Sequence, residues 1–145
     1  DASATLFLDD VKVGDAAQTT AALSADYQIT EGLSVDAGAR YFDNLYADFA
    51  PNDEEFLSED NKGALELPSY TVVDAGIDYR FKFDQSDLFL RLNVNNVFDE
   101  EYISESNTNI HTDANTPGTT QGIDNRNYVW WGFGTTWNLS LSYNF

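Results

Sequence analysis

The stretch NYVWWGFGTTWNLSLSYNF, residues 127–145, decides the fold. From Val129 its odd positions read Val129, Trp131, Phe133, Thr135, Trp137, Leu139, Leu141, Tyr143 and Phe145. The even positions read Trp130, Gly132, Gly134, Thr136, Asn138, Ser140, Ser142 and Asn144. Successive side chains of a strand point to opposite faces, so this is a β pattern with one greasy face and one small or polar face. It predicts one unbroken strand over the whole of Val129 to Phe145.

The same period recurs upstream. Ala17, Thr19, Ala21, Leu23, Ala25, Tyr27 and Ile29 oppose Gln18, Thr20, Ser24, Asp26 and Gln28, and Leu33, Val35, Ala37, Ala39 and Tyr41 oppose Ser34, Asp36, Gly38 and Arg40. Val73, Ala75, Ile77, Tyr79, Phe81 and Phe83 then face away from Asp74, Gly76, Asp78, Arg80 and Lys82. Leu88, Leu90, Leu92 and Val94 face away from Phe89, Arg91, Asn93 and Asn95, after which the alternation slips at Asn95 and Asn96, as at a bulge or a strand exit. The opening TLFLDDVKV reads as a sixth strand whose faces cannot be assigned. Two links, around Glu31 and Gln85, are tight enough for hairpins, whereas residues 49–68 and 104–127 are long and polar. Short turns alternating with long loops along an antiparallel meander are the layout of an outer-membrane barrel.

Composition narrows the options. Acidic residues outnumber basic ones 25 to 7, for a formal charge of -18, so nucleic acid would be repelled rather than steered in. There is no cysteine, hence no disulfide and no thiolate metal site. Nowhere do roughly 18 apolar residues run consecutively, which excludes a helical membrane span but not a barrel. The start DASATLFLDD lacks the pattern of a signal peptide.

Three features favour lipid over a soluble sandwich. Strands of soluble domains average about 5 to 6 residues, while a tilted membrane strand needs about 9 to 11, and at least four alternating stretches here reach the longer figure. Aromatic residues gather at the two strand ends: Tyr41, Tyr46, Tyr70, Tyr102, Tyr128, Trp130 and Trp131 beside the long loops, and Tyr27, Phe81, Phe83, Tyr143 and Phe145 beside the tight turns. That distribution suits headgroup depth on both sides of a bilayer. Finally, Asp74, Asp78, Arg80, Lys82 and Arg91 lie mid-strand on the polar face, where a dry core would penalise each by several kcal/mol if unpaired. A polar lumen accommodates them. Single-chain barrels of this kind begin at about eight strands, so six imply a piece of a larger barrel, and the terminal stripe makes it the C-terminal piece. The expectation is therefore an all-β antiparallel meander of about six long strands, residues 1–145, with the remaining strands upstream.

At LPSYTVVDAGIDYRF, LRLNVNNVFDEEYISES and GFGTTWNLSLSYNF the chain resembles the last barrel strands of TonB-dependent outer-membrane receptors. The positions that match the family pattern are Val94, Asn95, Asn96, Val97, Phe98, Asp99 and Tyr102, then Gly134, Thr136, Trp137 and Phe145. Thr135 stands where the family usually has Arg. Residues 13–49 are similar to members that carry a carboxypeptidase-regulatory-like N-terminal domain. The resemblance implies a 22-stranded barrel filled by an N-terminal plug that lies outside this chain. It further implies import of a scarce nutrient (siderophore, vitamin, glycan or peptide) powered through the TonB complex, and a place in the outer membrane of a Gram-negative bacterium. Its implied partners are outer-membrane lipid and lipopolysaccharide, the rest of the barrel, and the assembly machinery, which would read Trp137, Leu139, Leu141, Tyr143 and Phe145 as a signal. An extended end of that kind can add itself to an open sheet edge.

Little points to catalysis, and no cofactor is expected. His111 is the sole histidine and lies in a polar loop, where it is expected to be solvated. Asp48, Asp53, Glu54, Glu55, Glu59 and Asp60 lack the ordered spacing of a calcium loop. Asp99, Glu100 and Glu101 are expected to be rim residues, because adjacent strand carboxylates diverge and nothing sets the separation that glycoside hydrolysis requires. Asn138 begins a glycosylation sequon that would be unreachable inside a membrane strand. Substrate contact falls to the two long loops and to the lumen residues Asp74, Asp78, Arg80 and Arg91. Two rival readings share the pattern. One is a plug-less porin or adhesin barrel, which the upstream sequence would separate; the other is a soluble acidic β-module that binds carbohydrate, which detergent extraction and gel migration without heating would separate.

Overall fold

A computed structural model of the protein describes residues 5–9 and 11–145. Its strands, in chain order, are β1 (Thr19–Gln28), β2 (Leu33–Asp43), β3 (Leu45–Tyr46), β4 (Glu66–Leu67), β5 (Tyr70–Lys82), β6 (Asp87–Asn95), β7 (Ile103–Ser106), β8 (Thr119–Thr120), β9 (Ile123–Asp124), β10 (Val129–Trp131) and β11 (Thr136–Asn144). A four-residue 3-10 turn, Glu54–Leu57, is the helical element among the described residues. Five strands of 9 to 13 residues form one sheet in the order β1-β2-β5-β6-β11. Neighbours in the sheet are successive long strands, as in a meander.

Register sorts the side chains into two faces. Across β5, β6 and β11 the rows read Ala75–Val94–Trp137, Ile77–Leu92–Leu139, Tyr79–Leu90–Leu141 and Phe81–Leu88–Tyr143. The rows between them read Gly76–Asn93–Asn138, Asp78–Arg91–Ser140 and Arg80–Phe89–Ser142. The greasy rows are not covered: Trp137 is 70% exposed, Leu139 58% and Leu141 66%. Leaving such side chains in water forgoes about 1.5–3 kcal/mol each. A soluble sandwich would bury this stripe, and here it lies open, as a lipid-facing wall requires.

The tight turns form as expected. At the first, the Thr30 hydroxyl accepts hydrogen bonds from the Gly32 and Leu33 amides; at the second, the Phe83 amide donates to the Ser86 carbonyl. Two expectations fail, and a third, left open between a bulge and an exit, resolves to the exit. The opening TLFLDDVKV forms no strand over its described residues 5–9 and 11–13; Asp10 and residues 1–4 lie outside the described residues. The stripe from Val129 to Phe145 is not one strand: β10 pairs with β7, β11 pairs with β6, and residues 132–135 separate them. The slip at Asn95 and Asn96 is the exit of β6.

That exit explains the break. Asn96 has φ of 51° and is 3% exposed, and its side chain replaces the missing ladder. It donates to the Glu100 and Phe133 carbonyls and accepts from the Glu100 amide. Asp99 accepts from the Thr135 amide, and the Thr135 hydroxyl donates to the Asn96 carbonyl. Asp99 is exposed and at the same time ties Thr135 to the strand exit. Further along, Gly132 lies so close to the Tyr102 ring that a Cβ would collide with it.

Two compact units result. One is the five-stranded sheet with the exit around Asn96. The other gathers Phe42–Ser69, Tyr102–Gly132 and the opening segment as far as Thr19. The long connections are thus folded, not merely polar loops. Of the buried apolar residues among those described, Leu45, Ala47, Phe56, Leu65, Leu67, Ile103 and Ile123 belong to this second unit, and Val72 belongs to the sheet.

Candidate functional site

The polar face of the sheet carries the charged residues expected there, now with partners. Arg91 on β6 places Nη1 2.5 Å from Asp78 Oδ2 and Nη2 3.2 Å from Asp36 Oδ2, while its Nε donates to Asn93. The guanidinium thus links three strands, reaching from β6 across β5 to β2. It passes over Gly76, where a Cβ would collide with the Asp36 carboxylate. Arg40 pairs with Asp74 at 2.7 Å, and the other Asp74 oxygen accepts from the Asn96 amide.

Of the four lumen candidates, Asp74, Asp78 and Arg91 are engaged in these bridges, whereas Arg80 is exposed and has no ion pair among the described residues. A cavity of about 450 Å³ on this face is lined by Asp26, Glu31, Asp36, Asp78, Arg80 and Phe89. Asp78 Oδ1 is buried without a hydrogen-bond partner among the described residues. Asp36 and Arg40 were not foreseen as site residues. Their even positions in the β2 stripe already put them on this face, but choosing their partners required the register.

The loop unit holds a second constellation. Buried Asp124 accepts from Arg126 at 2.6 Å and from Thr116 at 2.9 Å, and Arg126 also reaches Asp113 at 3.3 Å. The hydrogen bond from Arg126 holds the Asp124 carboxyl far below the usual carboxylate range, against the opposing effect of burial. Asp113 is lowered too, first by the Asn115 amide and then by Arg126. Asp15 is raised, by burial first and then by the nearby Asp48 and Glu105 charges.

His111 is not free in solvent. Its Nε2 lies 3.0 Å from the Gly63 carbonyl. Asp48 and Asp53 cap the Phe49 and Ala50 amides, and Glu55 bonds to Asn109. No cluster of three or more potential metal ligands occurs among the described residues. A cavity of about 560 Å³ in this unit is lined from both long connections, including Asp48, Phe49, Glu55, Asn107 and Asn109.

The residues expected to form an assembly signal sit on β11, at one margin of the sheet. Trp137, Leu139, Leu141 and Tyr143 project from the greasy face, and Phe145 beyond the strand is fully exposed.

A sheet with one face for lipid and one lined by ion pairs, together with folded long connections, is a barrel wall. The family model for the TonB-dependent receptor-like β-barrel matches residues 2–97. The chain belongs to the TonB-dependent receptors. It is 33% identical over 89 residues to a protein named catecholate siderophore receptor Fiu from Escherichia coli (strain K12), covering 59% of this chain and 10% of that one. It is likewise 33% identical over 87 residues to one named ferrioxamine receptor from Yersinia enterocolitica, covering 58% of this chain and 11% of that one. The chain therefore spans about a tenth of the length of the curated relatives it matches. This TonB-dependent receptor segment is part of a Gram-negative outer-membrane barrel.

Proposed function

We propose that this chain is the C-terminal wall of a barrel that imports a scarce nutrient, with an iron-siderophore complex as the substrate class. The observation that carries the reading is the two-faced sheet: an open apolar face for the bilayer, and a polar face on which Arg91 is locked between Asp36 and Asp78 while the exposed Arg80 has no ion pair among the described residues. The locked charges stabilise the wall, and Arg80 is a lumen group available to a passing ligand or to the plug. The names of the two relatives support the siderophore class over a vitamin, glycan or peptide. In this reading the plug and the TonB contact lie in the missing part of the polypeptide, and the loop cavity contributes to capture at the cell surface.

The full-length receptor, expressed in a strain lacking its own siderophore receptors, is expected to restore growth under iron limitation with at least one catecholate or hydroxamate iron complex, and only when TonB is present. Growth that persists without TonB would turn the reading into a plug-less porin. Growth supported only by a vitamin, glycan or peptide would overturn the substrate class. Arg80→Ala is expected to lower uptake with the receptor level unchanged; full uptake removes Arg80 from the ligand path. Phe145→Ala is expected to reduce the folded receptor in the outer membrane, and unchanged assembly would end the signal role proposed for Trp137, Leu139, Leu141, Tyr143 and Phe145.

A further inference from the structure

The two long connections are expected from sequence to be separate polar loops, yet they share one core and one set of hydrogen bonds. Leu45, Ala47, Phe56, Leu65 and Leu67 come from Phe42–Ser69, which contains the first connection, Ile103 and Ile123 from Tyr102–Gly132, which contains the second, and all seven are buried. Asn109 of the second accepts from the Leu65 amide at 2.6 Å and donates to the Gly63 carbonyl at 2.9 Å and to Glu55. His111 meets the same Gly63 carbonyl, Lys62 donates to the Thr112 carbonyl at 2.9 Å, and the Asp48 amide donates to the Ser106 carbonyl at 2.8 Å. Within the second connection, Asn127 ties the chain to itself: its amide donates to the Ile110 and Asp124 carbonyls and its oxygen accepts from Thr108 and the Ile110 amide.

We propose that Phe42–Ser69 and Tyr102–Gly132 form one cooperative unit, so that they open and close as a single body instead of as two independent flaps. Opening either alone would expose the shared apolar core and strand the polar groups around Asn109, and buried groups left without partners are penalised strongly. Opening both together breaks the same contacts once. A ligand that touches one connection therefore biases the other, because the two sample a common equilibrium. The proposal concerns the coupling of the two segments and holds whatever substrate the barrel carries.

Hydrogen exchange of the full-length receptor in detergent micelles, under conditions where reclosing is slower than exchange, tests it without mutation. Peptides covering 45–67 and 103–131 are expected to show opening rates that agree within about threefold, as members of one cooperative unit must. A larger difference overturns the proposal. Asn109→Ala supplies a second readout. It is expected to speed exchange at the Ala47 and Leu65 amides of the first connection together with the Asn125 and Asn127 amides of the second, while the amides of 87–95 report an intact sheet. Acceleration confined to either connection, or none at all, overturns the single-body reading. Should that variant fail to fold, the wild-type rates decide alone.

Discussion

A Cβ on Gly76 would approach Arg91 Nη2 to 2.8 Å and collide with the Asp36 carboxylate, so the absence of a side chain here lets one guanidinium serve two strands. Gly76→Val is expected to break the Asp36–Arg91 pair and to cost about 1–3 kcal/mol through overpacking, read as a lowered denaturant midpoint of the folded barrel. An unchanged midpoint would mean the gap has no structural role. Asn96 acts in a comparable way at the strand exit, because its left-handed backbone suits Asn and its side chain satisfies the Glu100 amide and the Glu100 and Phe133 carbonyls. Asn96→Ala leaves those groups unpaired, and a loss of about 1–3 kcal/mol is expected in the same unfolding measurement. The same substitution separates two meanings of the V-N-N-V-F-D stretch, since a wall whose stability survives it would leave Asn96 without the structural part assigned here.

Strand β11 tests the medium that its faces meet. Leu141 stands on the greasy face opposite Leu90, and its neighbour Ser140 stands on the polar face opposite Arg91. A Lys at Leu141 is expected to cost about 2–4 kcal/mol if the site lies near the bilayer midplane. Ser140→Asn, which adds volume without charge, is expected to cost far less; equal losses in reversible unfolding in lipid would remove the assignment of the faces. The four long interior stripes and both hairpins were legible because a period of two over nine or more residues has few other causes. The interruption at 132–135 was not, since Phe133 and Thr135 keep the alternation while the chain changes partner from β7 to β6. The slip at Asn96 marked the strand exit, but not that its side chain reaches the Phe133 carbonyl and so fixes the change of partner. The lumen site was half legible. Asp78 and Arg91 could be placed on one face from periodicity, but the second partner of Arg91, Asp36, lies 55 residues away in sequence and needed the sheet order. The loop core escaped because Phe56, Leu65 and Ile103 sit among acids and amides without any period, so only tertiary contact reveals them.

For the molecule as a whole, acidity is the term that sets how the loop unit responds to pH. With a formal charge of -18, self-repulsion weakens as pH falls from neutrality, and Asp15 adds to that trend. Its folded-state pKa is raised above 3.8, so its stabilising contribution is complete below that value and is lost as pH rises through the raised one. Asp124 has the opposite sign. Its folded-state pKa is lowered from 3.8, so the stability it provides is complete above that value and disappears as pH falls toward the lowered one. Stability of residues 42–69 and 102–132 is therefore expected to rise modestly from pH 7 to about pH 4–5 and to fall steeply below it. Amide exchange corrected for its intrinsic pH dependence measures this profile directly. Asp124→Asn is expected to flatten the acid limb while lowering stability at pH 7, because Arg126 loses its buried counter-charge. Asp15→Asn is expected to raise stability at pH 7 and leave the acid limb in place. Should Asp124→Asn retain the steep acid limb, the Arg126–Asp124 pair would not be what holds this unit at low pH, and the limb would have to come from carboxylates elsewhere, such as Asp113 beside the same guanidinium.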